Sequence, residues 1–271
     1  MSDKSSVITS STNPTVKYIR SLHRRRVRYR EQAFIAEGLR TIQEALKAGI
    51  QPAFLFQTPS MLEQTHARLV TAEAEKRGVS ITTVSESVMA VMSDTVTPSG
   101  MLGVFAIPAP SIPRPADWVL VLDGLRDPGN TGTILRSALA AGVELVITAH
   151  GTVDVYSPKV VRAGMGAHFQ LNLCLNQAWP QITPLLEGLR VLLAEPRGGI
   201  PYWQLDWQQP TALVIGGEAR GVSSEAQQLV SEAVTIPMME DSESLNAAIA
   251  ASVLLFEAAR QRLFSPDERV S

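Results

Sequence analysis

Residues 118–125, WVLVLDGL, form an apolar run with no alternation between faces. A strand that is apolar on both sides must be covered on both sides, and a parallel sheet between two layers of helices does this. The segments that follow keep to that plan. TILRSALAAG reads as a helix, VELVIT as a strand, PKVVRAGMG as the start of a helix and HFQLNLCL as a strand. Residues 180–189 read as a helix, RVLLAEP and ALVIGGE as strands, and SLNAAIAASVLLFEAARQRL as a long last helix. The expectation is a mostly parallel α/β domain over residues 118–265, followed by a short tail, 266–271.

The preceding half repeats the alternation on a smaller scale. AFIAEG is a strand, and LRTIQEALKAG is a helix with Leu39, Ile42 and Leu46 on one face and Gly49 at its C-terminus. AFLFQT is another strand, residues 61–77 are a helix, and SITTVS follows. A second α/β unit, also expected to be mostly parallel, therefore occupies residues 1–108. Pro108, Pro110, Pro113 and Pro115 interrupt both helix and central strand, which places a linker at 109–117. A chain of 271 residues, 45% of them apolar, can build two such cores.

Several function classes are excluded at this level. The single cysteine, Cys174, cannot form an intrachain disulfide, and the four scattered histidines show no metal-ligand spacing, so no metal is expected. The polar start, MSDKSSVITSSTNP, carries no apolar leader, and LNAAIAASVLLF is too short to cross a bilayer. A cytoplasmic protein is expected. A net charge of −2 does not advertise a nucleic-acid partner, so any basic surface must be local.

Such a surface is present in NPTVKYIRSLHRRRVRYREQ. Asn13 and Pro14 open a helix expected over 14–30, in which Lys17, Arg20, Arg24, Arg25, Arg26, Arg28 and Arg30 precede the first acid of the stretch. Acids outnumber bases over the whole chain by 26 to 24. Seven cations clustered without compensation repel one another, and a phosphate backbone relieves that repulsion. Tyr18, His23 and Tyr29 interleave with them. Aromatic faces beside arginines suit unstacked RNA bases, although the same tyrosines would equally anchor a solvated helix to its domain.

In open α/β sheets, ligands sit beyond the carboxyl ends of the strands. The loops 127–132, 216–224 and 237–246 occupy such positions and are rich in Gly, Asn, Ser and Glu. None carries G-x-x-x-x-G-K-[ST] or a dinucleotide fingerprint, and GMGAHF places Phe169 where the third glycine belongs. No G-x-S-x-G elbow is present, so His150 and His168 read as packed or exposed side chains and not as catalytic ones.

Taken in order, DPGNTGTILRSALAAG (127–142), LVIGGEARGVS (213–223) and IPMMEDSESLNAAIAASVLLFE (236–257) resemble the three motifs of the SpoU, or TrmH-like, branch of the SPOUT RNA methyltransferases. AFIAEGLRTIQEAL and SDTVTPSGMLGVF resemble the small substrate-binding domain that precedes the catalytic domain in that family. The resemblance implies a parallel α/β sheet with a deep trefoil knot, preceded by a small, ribosomal-protein-L30e-like α/β RNA-binding domain. It also implies S-adenosylmethionine as methyl donor, a homodimer that completes each site, and methylation of a ribose 2′-hydroxyl, in 23S-type ribosomal RNA. A tRNA methyltransferase and a non-catalytic RNA-binding protein on the same fold stay open. A small-molecule α/β enzyme is a third alternative, and it predicts no salt-dependent RNA binding.

Carried over by position, Gly216, Gly217, Ile236, Met238 and Leu245 would line the cofactor pocket, with Asn246 at its edge. Asn130, Arg136, Glu218, Ser244 and Asn246 would face the reaction, and Arg162 would hold an RNA phosphate. The chemistry accounts for these residue types. A ribose hydroxyl is a poor nucleophile and needs alignment, loss of its proton and stabilisation of developing negative charge. Arg136, read as lying in the first turns of its helix, meets the last demand. Because arginine is effectively never deprotonated, its expected role is to orient the hydroxyl while solvent or phosphate takes the proton. Asn130 can donate and accept. Glu218, bracketed by Gly216, Gly217 and Gly221, would tie loops together or pair with Arg136. Ser244 and Asn246 also suit a helix N-cap and an early turn. Two departures touch the cofactor contacts: Gly217 stands where the family often has Asn or Ser, and SLNAAIA stands where S-L-N-V-S is more frequent.

Overall fold

The computed structural model describes residues 7–217, 221–239 and 244–263, excepting the Leu263 side chain. Two compact units emerge, one formed by the chain up to residue 109 together with 156–169, the other by 110–155 and the chain from 170 onward.

The first unit contains α1 (Pro14–Ser21), α2 (Arg25–Glu31), β1 (Ala33–Glu37), α3 (Leu39–Lys47), β2 (Phe54–Gln57), α4 (Pro59–Glu63), α5 (Thr65–Lys76), β3 (Ile81–Thr83), α6 (Glu86–Met92) and β4 (Met101–Ala106). Its sheet runs β1-β4-β2-β3. Only β2 and β3 are parallel, while β4 runs antiparallel to both β1 and β2, so the expectation of a mostly parallel sheet fails here. An apolar run says that both faces are covered but not which way the neighbouring strands run. The helix read over 61–77 is likewise two helices, broken at the extended residue Gln64.

The single basic helix expected over 14–30 is also divided, and Arg28 explains the break. Its guanidinium is buried and donates to the carbonyls of Leu22 at 2.7 Å and His23 at 2.8 Å, just beyond the C-terminus of α1. The carbonyls of the turn at 22–24 thus find the donors that the N–H groups of a continuing helix would have supplied. Val16, Ile19 and Leu22 pack with Phe56, Val88, Met89 and Leu102 in the core of this unit. The nearby loop is held by the buried Glu37 carboxylate, which accepts from Ser93 Oγ at 2.7 Å and Ser99 N at 2.9 Å.

Residues 156–169 contain α8 (Pro158–Gly164). Although read from the sequence as part of the second domain, they pack with the first: Tyr156 lies 4.8 Å from Phe34, and Phe169 lies 4.7 Å from Phe105, ring centre to ring centre.

The second unit contains β5 (Trp118–Asp123), α7 (Pro128–Ala140), β6 (Leu145–Ala149), β7 (Leu173–Gln177), α9 (Trp179–Ile182), β8 (Arg190–Ala194), β9 (Ile200–Pro201), β10 (Thr211–Gly216), α10 (Ser224–Leu229), β11 (Glu232–Thr235) and α11 (Ala247–Leu263). Its seven strands are ordered β7-β6-β5-β10-β8-β11-β9, and every pairing is parallel, as the apolar runs led one to expect. All six residues of β5 are buried. Val121, Ile147, Leu193 and Val214 meet in the core, and burial pushes the Cys174 thiol up from its ordinary value, leaving it un-ionised. The strand read at 168–175 begins instead at Leu173, and 167–169 form a short 3-10 turn. No described helix is long and apolar enough to cross a membrane.

Replacing Arg28 with Ala leaves two buried carbonyls unpaired. The expected loss is about 2 kcal/mol in denaturant unfolding, whereas Arg26→Ala, at an exposed position, leaves the midpoint unchanged.

Candidate functional site

Because the strands are parallel, the carboxyl ends of β5, β10, β8 and β11 lie side by side and their loops converge. The loops after β8, β10 and β11, with the start of α11, enclose a cavity of about 450 Å³, whose wall includes Glu195, Ile215, Gly216, Gly217, Val222, Ile236, Met238, Ser244, Leu245, Asn246 and Leu254; the β5–α7 turn, with Asn130, lies outside this lining. Every described residue proposed from sequence for the cofactor pocket thus lines one cavity.

Two glycines set its shape. A Cβ on Gly216 would come within 2.7 Å of the Gly221 carbonyl carbon and 2.9 Å of Val222 N. A Cβ on Gly217 would strike the Gly124 carbonyl oxygen. Gly217 and Gly221 exchange backbone hydrogen bonds of 3.1 and 2.9 Å, closing a tight turn in which Gly221 takes φ +65°. Glu218, between these two glycines in sequence, lies outside the described residues.

A residue that sequence reasoning missed holds the turn in place. Asp123, 4% exposed at the end of β5, accepts hydrogen bonds at 2.7 Å from both the backbone N–H and the hydroxyl of Ser223. Ser223 Oγ in turn accepts from Ala226 N at 3.3 Å and caps α10. The available signal was an acid closing an otherwise apolar strand, since a buried carboxylate requires donors.

Asp127 caps α7, its Oδ1 accepting from Asn130 N at 2.7 Å, and so places Asn130 in the first turn. Asn246 carries two functions. Its Oδ1 accepts from Ala248 N at 2.9 Å and Ile249 N at 3.3 Å at the start of α11, while its Nδ2 donates to Asn130 Oδ1 at 3.0 Å. The first and third motifs are thereby joined side chain to side chain. Asn246, expected in the early turn, provides the helix cap expected of Ser244, and Ser244 lies exposed on the cavity wall.

Arg136 departs from its expected place. It is the ninth of the thirteen residues of α7, about 12 Å along the axis from the first, beyond the reach of the N-terminal dipole. It is exposed and outside the cavity lining, and it has no hydrogen bond or ion pair to a described residue.

The basic cluster belongs to the first unit. Lys17, Arg20, Arg24, Arg25, Arg26 and Arg30 are exposed; Arg25 sits over the Tyr29 ring at 5.6 Å, and Arg30 pairs with Glu31 at 2.8 Å. Arg28 does not belong on a phosphate-binding surface, because it is buried on backbone carbonyls. Arg162 is engaged by Asp94 at 2.8 Å, which opposes its assignment to a phosphate. Tyr18 packs edge-on against Phe54 at the margin of the core, the anchoring role rather than the stacking one.

Comparison with known proteins places these features in context. Residues 117–256 match the SpoU rRNA Methylase family, and residues 13–103 match the MRM3-like substrate binding domain. The chain is 35% identical to an uncharacterized tRNA/rRNA methyltransferase of Synechocystis, with 94% of each covered. It is 30% identical to a 23S rRNA guanosine 2′-O-methyltransferase of Bacillus subtilis, covering 92% of this chain and 97% of that one. An AdoMet-bound rRNA methyltransferase from Sinorhizobium meliloti superposes with a TM-score of 0.81 at 31% identity, covering 96% of this chain and 99% of that one.

Gly217→Ala is expected to destabilise the second unit by about 1–3 kcal/mol, because the added methyl meets backbone that cannot rotate away. Amide hydrogen exchange would report the loss as weakened protection in β5 and β10, with β1 and β4 unaffected.

Proposed function

Because this chain belongs to the SpoU rRNA methylase family, we propose that it transfers a methyl group from S-adenosylmethionine to a ribose 2′-hydroxyl of ribosomal RNA. The observation that carries this reading is the convergence of the motif loops: Gly216 and Gly217, Ile236 and Met238, and Ser244 to Asn246 line one cavity, and Asn246 bonds to Asn130 beside it. The cavity fits the cofactor. Its volume falls in the range of small-molecule sites and its wall is mainly aliphatic. S-adenosylmethionine supplies an activated methyl group there.

The residues of this chain divide the remaining work. Ile215, Ile236, Leu245 and Leu254 exclude water from the bound adenosine, and the glycines at 216 and 217 let the turn that walls it close against Val222 and Gly124. The Asn130–Asn246 pair, rigid because Asn246 is also the helix cap, gives the incoming ribose a fixed polar edge. Arg136 orients the hydroxyl or its phosphate, and the proton leaves to phosphate or solvent. Glu218 ties the turn.

The knot and the homodimer form part of the same reading. The packing of α11 against α7, with Ser137 Oγ and Ser252 Oγ 2.8 Å apart, supports a C-terminal segment threaded back across the sheet. Ile249 and Phe256 on α11 are 55% and 51% exposed, which favours a second copy covering that face. In such a dimer an Arg136 standing outside its own cavity serves at the interface.

Ribosomal RNA is favoured over tRNA by the match of residues 13–103 to a substrate binding domain and by relatives that act on 23S rRNA. Incubation with isotopically labelled S-adenosylmethionine and separate rRNA and tRNA pools, followed by nucleoside digestion and mass analysis, tests the reading. A labelled 2′-O-methyl nucleoside from rRNA is expected. Label confined to tRNA, or found on a base, overturns it. Arg136→Ala is expected to lower kcat by about 100-fold with cofactor affinity unchanged. Arg24, Arg25 and Arg26 replaced together by Ala should weaken RNA binding and flatten the plot of log K against log salt by about 2–3, as measured by filter binding over a salt series.

A further inference from the structure

Glu195 is a carboxylate in the cavity wall that the motifs do not include. It directly follows β8 and is partly buried. Its backbone is held firmly: Glu195 N donates to Val234 O at 2.9 Å, and the next carbonyl, of Pro196, accepts from Thr235 Oγ1 at 3.2 Å. The end of β8 is thus pinned to the end of β11, with Glu195 facing a cavity otherwise walled by Ile215, Val222, Ile236 and Leu254. No described residue donates a hydrogen bond to its carboxylate. Its two carboxylate oxygens are therefore acceptors open to a ligand that brings donors.

The strand order identifies which donors. β10 lies between β5 and β8, so Glu195 and the β5–α7 turn flank Gly216 from opposite sides, about 10 Å apart at the usual strand spacing. On the functional reading above, the methyl group must face Asn130, on the β5 side. The cofactor then presents its adenosine, and not its sulfonium, toward β8. Adenosine carries two adjacent hydroxyls whose O–H donors match the two oxygens of a carboxylate, the chemistry by which acidic residues hold ribose in dinucleotide-binding folds.

We propose that Glu195 accepts hydrogen bonds from the ribose 2′- and 3′-hydroxyls of S-adenosylmethionine, anchoring the adenosine end so that the sulfonium stands at the Asn130 edge. The inference rests on the methyl-donor reading and extends it to a residue outside the three motifs. It makes cofactor binding depend on the ribose diol.

Calorimetric titration of the full chain and its Glu195→Ala and Glu195→Gln variants with S-adenosylhomocysteine and with 2′-deoxy-S-adenosylhomocysteine tests it. Wild type should bind the ribo ligand at least about tenfold more tightly than the deoxy analogue, and Glu195→Ala should lose about tenfold for the ribo ligand and much less for the analogue. Glu195→Gln, which keeps shape and one acceptor, should fall between and controls for folding. Equal binding of the ribo ligand by all three proteins overturns the assignment. So does an equal loss for both ligands, which would indicate attraction to the ammonium group instead. Wild type that binds neither ligand overturns the methyl-donor reading itself, an outcome distinct from those two.

Discussion

The buried carboxylate of Asp123 is the tie on which the site depends. A parallel sheet delivers strand ends to one edge, but strand ends alone do not make a pocket, because the loops beyond them have no obligation to stay together. Asp123 resolves this by accepting both donors of Ser223, a residue one hundred positions later in the chain. That link fixes the glycine turn against the end of β5, and the missing Cβ of Gly217 lets the turn seat on the Gly124 carbonyl. With the turn fixed, one wall of the cavity is fixed. The opposite wall is set by Asn246, which caps α11 with one amide atom and reaches Asn130 with the other.

Binding and chemistry separate along the chain. The exposed cations lie in α1, α2 and the turn between them, within the first unit, whereas the cavity lies wholly in the second. Near-zero overall charge is compatible with RNA binding when the positive residues are concentrated in this way, since the field of a local cluster acts within about a Debye length of it. The burial of Arg28 sharpens the division: one arginine of the cluster builds the turn that displays the others.

Much of this architecture was legible in the residues. The unbroken apolar strands indicated a sheet covered on both faces, and the three polar loops indicated where its ligand would sit, because both properties are local. What escaped notice was set by partners distant in sequence. The direction of β4, the attachment of 156–169 to the first unit and the burial of Arg28 depend on contacts that no window of residues contains. Arg136 was misplaced for a simpler reason. Its helix begins at Pro128, so eight residues separate it from the N-terminus, and the spacing from Asn130 had concealed that distance. Asp123 and Glu195 were overlooked because each closes an apolar strand and reads as punctuation until the neighbouring strand ends are known.

On the function proposed above, the cavity at the ends of β8, β10 and β11 holds the methyl donor with its sulfur toward the Asn130–Asn246 pair. A crystal structure of the protein with S-adenosylhomocysteine tests it most directly. The adenosine is expected between the end of β10 and the Leu245–Leu254 wall, with the sulfur on the asparagine side. Adenosine bound outside this cavity, or lying in it with the sulfur directed toward β11, would contradict it.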